Sequence, residues 1–263
     1  MPRYIDIHTH LALKDYDYGE SLEQRLQAAR EQGVARCITI GTDDEDNQTN
    51  SHICQQHDDI FMAVGIHPSE STDAGRVRQS LEHMAPLLKS PKTIAVGETG
   101  LDYYWTRDHV EAQRDAFHQH LKLAQVHDLP VMVHSREAFD DTCAILAQHQ
   151  CRGVIHCFTG SVAEARAFLD MGYLISLPGI VTFPKAKQMH EVAKFLPAEH
   201  LLCETDSPYL SPVPRRGREN QSAHIPHIYA AIAELRGQQV EELAGQIWDN
   251  AEKLFRFEAV RSC

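Results

Sequence analysis

The chain has 263 residues, 43% of them apolar and 24% charged, with a formal net charge of −12 at neutral pH. That length supports a full core, and α/β barrels commonly use about 250 residues as one unit. The composition excludes a disordered or fibrous chain, no apolar stretch approaches the roughly 20 residues that span a bilayer, and the acidic balance excludes a protein that coats nucleic acid by bulk electrostatics.

Apolar, β-rich runs occur at 3–8, 34–40, 60–66, 93–98, 130–134, 153–157, 172–177 and 201–204. Between them lie segments such as SLEQRLQAAREQG, VRQSLEHMAPLLK, VEAQRDAFHQHLKLAQVHD and AEARAFLDMG. Their apolar residues recur at three- and four-residue steps, as an amphipathic helix requires. Gly33 and Gly172 follow helical stretches and suit left-handed C-caps, while Asp128-Leu129-Pro130 ends another helix. HIPHIYAAIAELRG and VEELAGQIWDNAEKLF read as closing helices. Strand–helix alternation repeated about eight times predicts a single-domain (β/α)8 TIM barrel over 1–263. The rival is a doubly wound open sheet, but IDIHTH stands where its glycine-rich dinucleotide fingerprint would follow the first strand.

The first strand starts within a few residues of Met1, which predicts no signal peptide. Seven dispersed cysteines without a Cys-x-x-Cys pair predict reduced, mostly buried thiols and a cytoplasmic location. Cys157 and Cys203 fall near the residues singled out next, where a soft thiol could neighbour a metal.

Six potential metal ligands sit where apolar runs end: His8 and His10 after RYID, Glu98 after TIAVG, His134 after LPVMV, His156 after RGVI, and Asp206 after HLLCET. Carboxyl ends of parallel strands are where α/β proteins build their sites. Only a closed ring would bring such scattered residues together. His8 and His10 are two apart at a strand end, so their side chains face the same way. A charged Glu98 on an apolar run is costly unless paired or metal-bound, and one carboxylate can lend an oxygen to each of two ions. His134 and His156 supply a second imidazole pair, and Asp206 a further carboxylate. Two divalent cations about 3.5–4 Å apart would polarise a substrate oxygen and lower the pKa of a shared water. Asp206 and Glu98 are then the catalytic candidates, Asp206 as general base. Taken singly, these residues have ordinary alternatives: core histidines, a buried ion-pair carboxylate, or an N-cap before Ser207-Pro208.

DIHTH at 6–10, GIHP at 65–68, GETGLDYY at 97–104, HSRE at 134–137, HCFTG at 156–160 and ETDSPYL at 204–210 resemble the TatD family of metal-dependent hydrolases. The resemblance runs from the first strand through PVPRRGRENQ at 212–221 to the final helices. It implies an amidohydrolase-like TIM barrel with a divalent metal centre and deoxyribonuclease activity, commonly 3′-to-5′ exonucleolytic. Carried over by motif, His8, His10 and Asp206 resemble ligands of one ion, His134 and His156 those of the other, with Glu98 bridging. Some relatives lack the first His-x-His, which this chain keeps.

Three groups are candidates for substrate binding. His67 ends the third strand run, with capping the turn before Pro68 as its alternative role. Arg136 lies two residues past His134 and suits bidentate phosphate binding, or a pair with a carboxylate. Arg216 stands in RRGR at 215–218, the densest cationic cluster, which is otherwise a solvated loop. Tyr103, Tyr104 and Trp105 are expected to pack beneath a loop, with base stacking the other possibility. His118, His120 and His127 fall in a helical segment and read as packing or surface residues.

The leading expectation is therefore hydrolysis of phosphodiester bonds in DNA or RNA from a 3′ end, with Zn²⁺, Mg²⁺ or Mn²⁺ and a nucleic-acid substrate as partner. Net negative charge leaves this open, because bound cations invert the local field where phosphate approaches. Amide or ester hydrolysis, as by an aminoacyl-tRNA deacylase, is the alternative on the same centre. A non-catalytic metal-binding protein is a third.

Overall fold

Eight strands make the frame: β1 (Tyr4–Thr9), β2 (Val34–Ile40), β3 (Ile60–Val64), β4 (Thr93–Asp102), β5 (Val131–Arg136), β6 (Gly153–Ile155), β7 (Leu174–Leu177) and β8 (Leu201–Cys203). In this computed structural model they pair in sequence order, and every pairing is parallel. A parallel bridge from Thr9 to Ser207 draws the last strand's exit onto the first, bringing the ring nearly closed. The structure describes residues 2–13, 16–105 and 107–257, so the rest of the predicted 1–263 unit, Cys263 included, lies outside the described residues.

Helices cover the outside: α1 (Leu22–Glu31), α2 (Asp44–Gln56), α3 (Ala74–Met84), α4 (Val110–His127), α5 (Phe139–Leu146), α6 (Val162–Asp170), α7 (Lys187–Phe195), α8 (Ile225–Arg236) and α9 (Val240–Phe255). Their ends follow local chemistry. Ser21 with Gln24 and Ser161 with Glu164 form capping boxes that start α1 and α6. Asp128, in left-handed backbone, stops α4 before Leu129-Pro130. Helices such as α1, α4 and α6 lay their apolar faces on the strands beside them. Ile5, Ile7, Ile38, Ile40, Met62, Val64, Val96 and Val133 belong to one continuous core. None of the helices among the described residues is long and apolar enough to cross a membrane.

Strand ends differ from the sequence expectation where glycine misleads it. The run 93–98 continues through Thr99, Gly100 and Leu101 to Asp102, every residue buried. Gly97 and Gly100 hold positive φ values of 149° and 136°, so they bend the strand without ending it. At Gly100 a Cβ would collide with the carbonyl oxygen of His134, its register partner on β5. Glycine here lets the backbone carrying His134 close on the backbone carrying Glu98. The 172–177 run starts late, at Leu174, because Gly172 at φ 86° still belongs to the close of α6.

His120, one of the packing histidines, sits on α4 fully buried beneath the rim. The Ile66 backbone N–H donates to its Nε2 at 3.1 Å, and its Nδ1 faces the Ala116 carbonyl at 2.7 Å. One acceptor and one donor require the neutral ring. Burial accordingly pushes the imidazole down to about 4. The unfolded chain then takes up this proton at higher pH than the fold does. The stabilisation is complete above about pH 6.5 and is lost as pH falls towards 4, worth on the order of 3 kcal/mol. Urea midpoints measured from pH 7 to 4 should fall, and His120→Gln should flatten part of that slope. His67 and His224, also held near 4 by burial, act in the same direction, as do depressed carboxyls such as Asp59.

Candidate metal centre

The predicted ligands stand at or near the carboxyl ends of their strands, which in a parallel ring form one rim, except that Glu98 sits inside the longer β4. His8 is on β1 with His10 just past it, Glu98 is within β4 and His134 within β5. His156 immediately follows β6, and Asp206 follows β8 in left-handed backbone at φ 53°. A cavity of about 760 Å³ opens here, lined by His10, Glu98, His134, His156 and Asp206 among others. His8 lies fully buried beneath them.

Glu98 is the hub. Its Oε1 stands 2.8 Å from His134 Nδ1, 2.8 Å from His156 Nε2 and 3.5 Å from His67 Nε2. Its Oε2 faces His8 Nε2 at 3.4 Å. Asp206 Oδ1 approaches the same His8 nitrogen at 3.5 Å and His10 Nε2 at 3.6 Å. His8 and His156 stack with ring centroids 3.9 Å apart, one from each set.

These residues fit a cation. His8 Nε2 is buried without a hydrogen-bond partner, although two carboxylate oxygens face it. Donor atoms about 2.1 Å from a shared tetrahedral ion stand roughly 3.4 Å from one another, which is the spacing of His8 to Glu98 and Asp206. Ligand atoms of His8, His10 and Glu98, and again of Glu98, His134 and His156, lie within 4.8 Å of one another.

Electrostatics point the same way. Burial alone would raise the Glu98 carboxyl, but His156 and His67 charges and hydrogen bonds from His134 and His156 hold it well below its usual range. Burial likewise opposes ionisation of Asp206, and a hydrogen bond from His10 overcomes it, keeping this carboxyl low. His156 is driven well above its ordinary value against burial by Glu98 and Glu204. His8 moves down, through burial and then the charge of His156. The site concentrates anionic charge among largely buried side chains and draws positive charge to its centre.

Sequence reading missed the carboxylates behind the histidines. Asp102 Oδ2 holds His134 Nε2 at 3.0 Å, and Glu204 Oε1 holds His156 Nδ1 at 3.2 Å while accepting the Cys157 N–H at 2.7 Å. Each imidazole thus presents one nitrogen to Glu98 and gives the other to an orienting carboxylate, the usual support for a ligating histidine. The signal was present: both acids end apolar runs, in GLD and LLCE, where an unpaired charge is expensive. Asp102→Asn should weaken metal binding by roughly 10–100-fold, as losses of such supports do. A competition titration with a chelator dye reads this directly, and unchanged affinity would remove Asp102 from the site.

Other candidates divide. His67 takes the capping role and also turns its second ring nitrogen to the centre. Its Nδ1 accepts from the Ser69 N–H at 3.1 Å and caps the turn Pro68–Glu70, while Nε2 faces Glu98. Arg136 lines the cavity, its guanidinium 3.8 Å over the Tyr104 ring. Arg216 is not among the residues lining this cavity, and its guanidinium lies 4.3 Å over Phe183. Of the three aromatics, Tyr103 is buried with its hydroxyl donating to Asp141, whereas Tyr104 and Trp105 are 48% and 74% exposed. Cys157 lines the cavity, and burial and Asp206 push its thiol well above the usual range, keeping it protonated. Cys203 is wholly buried in the core.

The family model described as TatD related DNase matches residues 5–256. A metal-dependent hydrolase of Escherichia coli K12, YcfH, is 37% identical over 98% of this chain and 97% of its own. Another, YabD of Bacillus subtilis, is 35% identical over 95% of this chain and 98% of its own. Among solved structures, the TatD homologue YJJV of Escherichia coli K12 superposes with a TM-score of 0.88 at 31% identity, covering 97% of this chain and 98% of that one. Barrel, rim and kinship agree: the chain belongs to the TatD family of metal-dependent hydrolases.

Proposed function

We propose that this hydrolase cleaves phosphodiester bonds in DNA, releasing nucleotides from a 3′ end, with two divalent cations in one centre. The observation that carries the reading is the split of Glu98. Oε2 turns to the His8 side and Oε1 to the His134 and His156 side, as a carboxylate serving two cations must. His8, His10 and Asp206 would hold one cation and His134 and His156 the other. When bound, such a pair polarises the phosphoryl oxygen and lowers the pKa of an attacking water.

The protein's own groups do the rest. Asp206, ionised and open to the cavity, accepts the water's proton at its carboxylate. His67 Nε2 faces the same space and hydrogen-bonds the phosphate or the departing oxygen. Arg136 clamps a non-bridging phosphate oxygen from the wall. Arg216, outside the cavity, steers the polyanion towards its mouth. The DNase description of the family supports the substrate class, and unpaired thiols suit a reducing cytoplasm.

A second reading, amide or ester hydrolysis, has one observation in its favour. Among the described residues the cavity lining carries Asp43, Asp46, Glu70, Glu98, Asp102 and Asp206 against Arg136 as its one lysine or arginine. One assay separates the two. Protein stripped of metal and reloaded with Mg²⁺, Mn²⁺ or Zn²⁺ should release mononucleotides from 3′-labelled single-stranded DNA. No turnover with any ion, from protein of verified metal content, rejects the nuclease, and faster cleavage of a neutral aryl ester favours the alternative.

A further inference from the structure

A rim so rich in carboxylates on a chain of charge −12 cannot hold a polyanion along its length by charge alone. Something else must grip the substrate beside the metals. Five large hydrophobic side chains are exposed among the described residues, and two of them, Trp105 at 74% and Tyr209 at 50%, line this cavity. Large rings normally bury their area.

The two are placed as opposing walls. Trp105 follows β4 and Tyr209 follows β8, and in a ring of eight strands these ends stand half a turn apart. Both rings are braced. Tyr104 meets Trp105 edge-on at 4.8 Å and 84°, and Arg136 covers Tyr104 while lying 5.5 Å from Trp105. Tyr209 leans on Tyr16 at 6.2 Å and on His10 at 6.4 Å. Trp105 is thus braced by Tyr104 and Arg136 while most of its ring stays exposed in the cavity lining.

We propose that Trp105 and Tyr209 are stacking walls for the two nucleobases that flank the scissile phosphodiester at a single-stranded end. The inference rests on the nuclease reading and deepens it. Stacking is indifferent to base identity because every base has a π-face, and each stacked base typically contributes about 1–3 kcal/mol. A base inside a duplex has both faces occupied by its neighbours, so the walls select unpaired ends. Arg136 supplies one phosphate contact, and binding should depend on salt far less steeply than that of a protein neutralising many phosphates.

The chain's two tryptophans make the test direct. Trp248 lies at the far end of the barrel, under Arg3 and Arg36. In metal-stripped protein, a dA–dA dinucleotide should quench tryptophan emission saturably, and 2-deoxyribose 5-phosphate should not. The quenching should persist in Trp248→Phe and vanish in Trp105→Phe. Quenching by the base-free sugar phosphate, or quenching that survives Trp105→Phe, overturns the proposal. In reloaded enzyme, Trp105→Ala should raise KM for a single-stranded end roughly 5- to 150-fold with kcat little changed, and Trp105→Phe should restore most of it. An oligonucleotide ending in abasic residues should show the same KM with wild type and Trp105→Ala. Equal KM values for wild type and Trp105→Ala on the base-bearing end overturn the proposal. Should the wild type cleave no nucleic acid, the nuclease reading fails by itself, and dinucleotide quenching still decides whether the walls stack bases.

Discussion

Asp206→Asn should lower kcat by roughly 10²–10⁴-fold, the range that a positioned general base supplies, while the barrel stays folded. The substitution isolates charge. Position 206 sits at φ 53°, a left-handed conformation that asparagine tolerates as readily as aspartate. Its backbone N–H bond to His8 and the Tyr209 N–H bond to its carbonyl are unaffected by the change. Among the carboxylates touching the central histidines, Asp206 has the most open side chain, at 15% against 4% for Glu98, 5% for Asp102 and 0% for Glu204. It is the one of the four most open to solvent. Kinetics, metal content and thermal unfolding of the same preparation check the expectation together. A folded, metal-replete Asp206→Asn enzyme with near wild-type kcat would refute the general-base role.

Glu98→Gln should have the largest effect on metal binding. One amide cannot replace two anionic oxygens that face opposite groups of imidazoles. Whichever way it turns, its NH₂ is presented to nitrogens that need an acceptor or a shared cation. Loss of a supporting residue typically costs 10–100-fold in affinity, and Glu98 touches both groups directly, so the loss should exceed about 100-fold with catalysis falling alongside. Calorimetric titration of stripped protein with Zn²⁺ or Mn²⁺ gives stoichiometry and affinity at once. Two-site binding at wild-type strength in Glu98→Gln would break the bridging assignment.

The barrel and the convergence of the six candidates were readable because both follow from repeating local rules. An apolar run buried on both faces reads as a parallel strand, and a polar residue at its end reads as rim. Reading faltered where one residue does two things. Gly97 and Gly100 look like strand breakers, yet they let β4 continue so that β5 can approach, and the strand's last acid, Asp102, falls outside the predicted run 93–98. Glu204 was hidden beside Asp206, since sequence alone does not say which of two neighbouring acids faces the cavity and which supports a histidine from behind. The exposure of Tyr104 and Trp105 also reverses a sound prior. Composition favours burying such rings, and only the placement of Arg136 across Tyr104 shows how they are held at the mouth.

The seam between β1 and β8 carries a consequence for synthesis. Asp6 spans it, its carboxylate accepting from the Thr205 backbone N–H at 2.9 Å, the Thr205 hydroxyl at 2.6 Å and the Ser222 hydroxyl at 2.6 Å. The same two strands deliver His8, His10 and Asp206. On the ribosome β4, β5 and β6 emerge before β8, but Glu204, which holds His156, and Asp206, which faces His8 and His10, arrive only with the last strand, and Asp6 can close on Thr205 and Ser222 only after that. The six candidate residues therefore converge only in the step that closes the ring.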